Sequence, residues 1–350
     1  MKIIESMRSP AVAARAVLET VFGRIDHSGF AVELWDGSRL WPATRRPEFV
    51  LAFRSPETVR KVFDRCDSLS FGEAFIHGMV DVAGSMAATF PMAESLMRIP
   101  WSFVDRCRLA RLLWSIPQPA RMAGGGVFGG VAPSGSLGTS MRTREAVNYH
   151  YDHPVEFWRL WLDESLCYSC AYFRSPGVTL AQAQQDKLDY VCRKLRLEPG
   201  MRLLDLGCGW GALVAHACRC YGVDAVGITL SPHQAKVAQA RVEEAGLSRR
   251  CQIVTGDFLE LDGLGRFDRI SSIGAAEHIP ENRFAAYFTR IRDLLRPGGQ
   301  ALHHAITRNP SIPDRPGGSF MDRYVFPDHF LASIGRTVSL GEEEIGRAHV

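Results

Sequence analysis

No stretch of the 350-residue chain approaches the roughly 18 uninterrupted apolar residues of a bilayer-crossing helix, so any membrane contact is expected to be peripheral. An excess of one charge is also lacking. The 41 Lys and Arg face 38 Asp and Glu, which argues against wholesale nucleic-acid binding through a concentrated basic face. Internal repeats are absent, and an apolar content of 46% excludes a disordered chain. In the first residues Glu5 and Arg8 break the apolar character, which predicts neither a signal peptide nor a transit peptide. Zinc-type cysteine spacing is missing as well. Cys167 and Cys170 form one C-x-x-C without a second pair, and Cys218 and Cys220 fall in a predicted helix, so no metal site is expected. Nine cysteines, an odd number without a secretory start, read as reduced thiols of a cytoplasmic protein.

At this length two domains are expected. The first, residues 1–121, reads as a small α+β unit. Residues 10–22 have helical periodicity, FAVELW and SRLW flank the hairpin signal Asp36-Gly37, and FVLAF at 49–53 is a strand. Ser55 can cap a helix that begins at Pro56, and helical pattern is read from 71 to 98. In WSFVDRCRLARLLWSI, residues 101–116, Arg106, Arg108 and Arg111 are interleaved with Trp101, Phe103 and Trp114. Such a helix either lies in a lipid headgroup layer or docks on its own domain with its arginines solvated. Gly and Ser dominate residues 122–140, which are expected to form a flexible linker at the domain boundary.

Beyond the linker, helical stretches at 155–163 and 180–196 lead into strand 202–206, helix 210–221, strand 224–228, helix 231–245, strands 251–254 and 267–273, helix 281–295 and strand 300–306. This alternation predicts an α/β domain over residues 141–340, built on a mostly parallel sheet with right-handed crossovers. Its sharpest signal is LLDLGCGWG, residues 203–211, at a strand end that opens a helix. Glycines there let the backbone turn tightly and approach a ligand, beside the free N–H groups of the helix start. The spacing is G-x-G-x-G, and the next strand ends in GITLS without the acidic residue of a nicotinamide enzyme, which disfavours a dehydrogenase.

With the Pro-Gly-Gly turn in LLRPGGQ (294–300), these features resemble class I S-adenosylmethionine-dependent methyltransferases, a Rossmann-like fold. HYDHPVEFWRLWLDESLCYSCAYF (150–173), VGITLSPHQ (226–234), FDRISSIGAAEHIP (267–280), LRPGGQALHHAI (295–306) and FMDRYVFP (320–327) narrow the resemblance to the cyclopropane fatty acid synthases and the related mycolic acid cyclopropane and methyl transferases. The first 121 residues look like the N-terminal domain of the phospholipid-modifying members. The resemblance implies a methylene transfer from S-adenosylmethionine to the cis double bond of phospholipid acyl chains, at the inner face of a membrane. A methyl-branched product, methylation of a small-molecule amine, or an inactive lipid- or cofactor-binding fragment are the alternatives, and association into a homodimer is left open.

Carried over by position, the cofactor contacts implied are Tyr168 and Ser169, Asp205 with Gly207, Cys208, Gly209, Trp210 and Gly211, then Thr229, Leu230 and Gln234, and Asp257 with Phe258. The resemblance implies a bound bicarbonate as base, held by Cys170, Glu277, His304 and the backbone of Ile306. Read singly, Thr229 and Gln234 are equally good helix-capping residues, Asp257 a turn residue, and Glu277 with His278 a surface pair. His303 and His304 face opposite sides of a strand, so one alone can line a pocket, and the motif selects His304. His153-Pro154-Val155 departs from the family pattern and is expected to reshape the substrate entrance. The resemblance fades after residue 330, so the methyltransferase sheet is expected to lack its last strands, and residues 344–350 to be a non-native tail.

Overall fold

The computed structural model describes residues 9–26, 28–41, 46–65, 67–118, 133–311 and 319–346. Two compact units result, Met1–Gly130 with Gly318–Tyr324, and Val131–Gly317 with Val325–Val350. The division falls inside the expected linker, most of which lies outside the described residues. Among the described residues no helix is long and apolar enough to cross a membrane.

In the first unit, α1 (Pro10–Phe22) buries Ala13, Ala14, Val17, Leu18, Val21 and Phe22, a stripe at helical spacing. It covers a four-stranded sheet of order β2-β1-β3-β4. Strands β1 (Phe30–Glu33) and β2 (Arg39–Leu40) form the hairpin expected at Asp36-Gly37, where Gly37 takes φ +79°. Strand β3 (Phe49–Phe53) runs parallel to β1, and α2 (Pro56–Arg65) follows, with Ser55 Oγ accepting from the Thr58 N–H. The expected helical run 71–98 is corrected. It divides into α3 (Ser68–Ile76), β4 (Val80–Gly84) and α4 (Thr89–Met97), because β4 finds a full antiparallel register along β3. Sheet pairing thus overrides local periodicity. Helix α5 (Phe103–Trp114) starts on a capping box of Ser102 and Asp105.

The second unit carries α6 (Ser140–Tyr151), the short α7 (Val155–Arg159) and α8 (Leu180–Lys194) ahead of its sheet. Five parallel strands follow: β5 (Arg202–Leu206), β6 (Asp224–Thr229), β7 (Cys251–Thr255), β8 (Phe267–Ile273) and β9 (Leu295–His304). Between them lie α9 (Ala212–Tyr221), α10 (Pro232–Glu244) and α11 (Phe284–Leu294), and α13 (Ile334–Glu344) comes last, after the short α12 (Phe320–Tyr324). The order β7-β6-β5-β8-β9 reverses between β5 and β8, the crevice where open α/β sheets bind ligands. Alternate residues feed two cores. Leu203 joins Leu188, Cys192 and Val214 on one face, while Leu204 and Leu206 join Phe284, Tyr287 and Ile291 on the other. The expected turn at Pro297-Gly298-Gly299 is an irregularity inside β9, which pairs with β8 from Leu295 onward and shifts register between Phe267 and Arg269. Arg296 bonds Asp268 there, at 2.7 Å.

Helix α12 belongs to the first unit despite its place late in the chain. The Tyr324 hydroxyl donates to Glu73, 3.1 Å away, and the Phe320 ring lies so close to Gly72 of α3 that a Cβ there would stand 2.2 Å from it. Alanine at an interior helix position ordinarily gains about 1 kcal/mol over glycine. At Gly72 the ring must move, so Gly72→Ala is expected to destabilise by about 1–3 kcal/mol. In a Phe320→Ala background the same change should instead stabilise. A double-mutant cycle by urea unfolding checks this, and the same sign in both backgrounds would contradict the contact.

Candidate active site

Strand β5 ends in Asp205, and the loop to α9 turns through Gly207, Gly209 and Gly211, all at positive φ. Gly207 is required on a second count, since a Cβ there would sit 2.5 Å from that of Ala275 across the crevice beyond β8. The loop, the end of β6, the β7 turn and α6 enclose one cavity. Every residue expected to contact a cofactor lines it except Gly211, which faces Ala238 of α10.

Asp205 is 4% exposed and accepts a 2.7 Å hydrogen bond from the Ser271 hydroxyl on β8. Burial pushes its carboxyl up to about 6, against the lowering by that bond and by the charge of Lys187. At the end of β6, the Thr229 hydroxyl donates to the Gln234 carbonyl oxygen at 2.8 Å, while Ser231 caps α10 by accepting from the Gln234 N–H. The capping role weighed for Thr229 and Gln234 thus falls to Ser231, and the amide of Gln234 is held at the cavity wall. Asp257 is both turn residue and wall residue. One carboxylate oxygen accepts from the Leu259 N–H and the other from the Arg283 guanidinium, at 2.9 Å. Phe258 is buried against Tyr287.

Helix α6 closes one side with Thr143, Val147 and Tyr151, four residues apart on a single face. A bidentate pair between Arg142 and Asp328 anchors the start of that helix. His150 donates from Nδ1 to the Val325 carbonyl, so its Nε2 accepts from Tyr168 at 3.2 Å and fixes that ring in the wall. Burial lowers His150 and His278 to about 4 each, so both are neutral at pH 7. Sequence reasoning missed Lys187, Arg283, Tyr151 and His278 as cavity residues. Lys187 and Arg283 read as ordinary charged positions of helical segments, and their burial arises only in three dimensions.

The residues expected to hold a base lie beyond that cavity. Glu277, in the 3-10 turn Ala276–His278, is buried and accepts the Ile306 N–H on Oε1 at 2.8 Å. Its Oε2 is buried with no hydrogen-bond partner among the described residues. Cys170 and His304 are exposed, and no hydrogen bond among the described residues joins them to Glu277. His303 faces the opposite side from His304, bonded through Nδ1 to the Tyr287 hydroxyl. Among the described residues no cluster of three His, Cys, Asp or Glu could hold a metal ion.

A parallel sheet of this order with a glycine loop and a buried acid at its switch point defines a class I methyltransferase fold. The model of the mycolic acid cyclopropane synthetase family matches residues 139–346, and the chain belongs to that family. It is 34% identical over 307 residues to a probable fatty acid methyltransferase of Pseudomonas putida, across 86% of this chain and 71% of that one. To a probable fatty acid methyltransferase of Mycobacterium tuberculosis it is 44% identical over 203 residues, 58% of this chain but 47% of the relative, so it spans about half of that protein's length. Among solved structures, the cyclopropane synthase MmaA2 from Mycobacterium tuberculosis overlays with a TM-score of 0.54 at 35% identity, and mycolic acid cyclopropane synthase CmaA1, complexed with SAH and CTAB, with 0.53 at 36%. Both overlays cover 57% of this chain and 74% of the other.

Asp205 sets a pH dependence of the ligand-free protein. Its folded pKa of about 6 lies above the ordinary 3.8, so the unfolded chain releases that proton first and stability contributed by this group falls as pH rises from 4 through 6. Asp205→Asn keeps an acceptor for Ser271 and removes the buried charge. It should raise the ligand-free melting temperature at pH 7 by about 2–4 °C per kcal/mol recovered, with little gain at pH 4. Melting curves at both pH values check this; equal shifts would contradict it.

Proposed function

We propose that this chain binds S-adenosylmethionine in the cavity at the β5–β8 crevice and transfers a one-carbon unit to the cis double bond of unsaturated phospholipid acyl chains, giving cyclopropane lipids. The observation that carries the reading is the convergence on one cavity of the Asp205 loop, the Thr229–Gln234 pair and Asp257 with Phe258. The donor chemistry fits along its length. Asp205 suits the ammonium of an amino-acid tail, the Gln234 amide the hydroxyls of a ribose, and Asp257 beside Phe258 the amino edge and face of a purine.

S-adenosylmethionine supplies an electrophilic methyl group on a sulfonium centre. The rings of Tyr151, Tyr168 and Trp210 wall the cavity beside the glycine loop, where aromatic faces favour positive charge and exclude water. We assign proton uptake to Glu277, a reading supported by its Oε2, which is buried with no hydrogen-bond partner among the described residues.

A phospholipid surface is the partner we assign to the first unit. On α5, Phe103, Val104, Cys107, Arg108, Arg111 and Trp114 share one outer face, with Phe103, Val104 and Trp114 each more than 70% exposed. Arg106, Arg108 and Arg111 make no ion pair among the described residues, which leaves them for anionic headgroups.

Incubation with isotope-labelled S-adenosylmethionine and vesicles of monounsaturated phospholipid, followed by mass spectrometry of the acyl chains, tests the reaction. Cyclopropane-bearing chains are expected; methyl-branched chains would redirect the product assignment, and unlabelled lipid would refute lipid transfer. Glu277→Gln should retain S-adenosylhomocysteine affinity while turnover falls by about 100-fold or more. Trp114→Glu should weaken sedimentation with anionic vesicles and leave cofactor affinity unchanged. Unaltered sedimentation would remove α5 from the membrane face.

A further inference from the structure

Lys187 stands on α8 with Leu188, Val191 and Cys192 packed into the core beside it, and is itself only 9% exposed. Its Nζ donates one hydrogen bond, 2.8 Å long, to the neutral Ser169 hydroxyl. No carboxylate lies within ion-pair distance of this ammonium among the described residues, although such a group has three donors to satisfy. Taking it out of water without a counter-charge is costly.

Asp205 is the mirror image: a buried carboxylate bonded to a neutral hydroxyl, with no cation within ion-pair distance among the described residues. Both groups line the same cavity, and the charge of Lys187 acts on Asp205 without direct contact. Two buried, opposite and uncompensated charges on one cavity are neutralised together by a ligand that carries a cation and an anion a few atoms apart. The α-amino acid end of S-adenosylmethionine is such a group.

We infer that Lys187 binds the α-carboxylate of the cofactor's methionine tail while Asp205 takes its α-ammonium, a clamp that selects a zwitterionic tail. This rests on the S-adenosylmethionine reading above. Ser169 then has a second role, to steer the ammonium of Lys187 toward the cavity.

Isothermal titration of the full chain with three probes tests the clamp: S-adenosylhomocysteine, its decarboxylated analogue with the ammonium alone, and 5′-methylthioadenosine with neither charge. The unaltered chain should bind S-adenosylhomocysteine roughly 10–100-fold more tightly than the decarboxylated analogue. Lys187→Met should erase that preference and leave affinity for 5′-methylthioadenosine, which carries neither charge, unchanged, whereas Lys187→Arg should restore part of it. Equal weakening toward all three probes would mean that Lys187 merely supports the Ser169 loop, and would overturn the clamp. Should Lys187→Met fail to fold, equal affinity of the unaltered chain for S-adenosylhomocysteine and its decarboxylated analogue overturns it as well. Failure of the cofactor reading has a separate signature, the absence of binding by every probe.

Discussion

The second unit is organised by the close approach of the two strands at its switch point. Gly207 passes Ala275 with no space for a side chain between them, and Asp205, two residues earlier and still on β5, is tied to Ser271 of β8. Those contacts hold the crevice narrow at its floor, and the cavity opens above it. A carboxylate fixed at that floor is buried at a cost to the ligand-free protein, a penalty that a bound cation relieves. Stability and the proposed cofactor binding therefore oppose each other at one residue.

The other walls are held by bonds that leave their functional faces toward the cavity. Arg283 pins one oxygen of Asp257, Thr229 pins the carbonyl of Gln234, and His150 orients Tyr168. These three supporting residues come from three separate elements, so the site is set by the packing of the unit and not by a single loop. Glu277, the residue proposed to accept the proton, has a different environment. Its Oε1 accepts the Ile306 N–H, while its Oε2 is buried with no hydrogen-bond partner among the described residues.

Much of this was legible in the sequence because the informative residues lie in short local motifs. The glycine loop, the end of β6 and the Gly256-Asp257-Phe258 turn each announce a strand end, and the cavity gathers all three. Strand β4 escaped because its five residues are flanked by helical pattern, and their pairing with β3 is not a local property. The early start of β9 escaped for a related reason. Pro297 and Gly298 signal a turn, yet the chain absorbs them as an irregularity while Leu295 is already paired with Phe267. Lys187 was invisible since a lysine inside an amphipathic helix reads as solvated, and only the packing of α8 reveals its burial. Conversely, the grouping of Cys170 and His304 with Glu277 came from resemblance alone, and the described structure leaves both exposed.

A crystal structure of the chain grown with S-adenosylhomocysteine tests the central claim most directly. The ligand is expected across the β5–β8 crevice, its amino-acid end between Asp205 and Lys187 and its purine beside Asp257 and Phe258. Ligand density elsewhere on the chain, or a cavity that stays empty at saturating ligand, would contradict it.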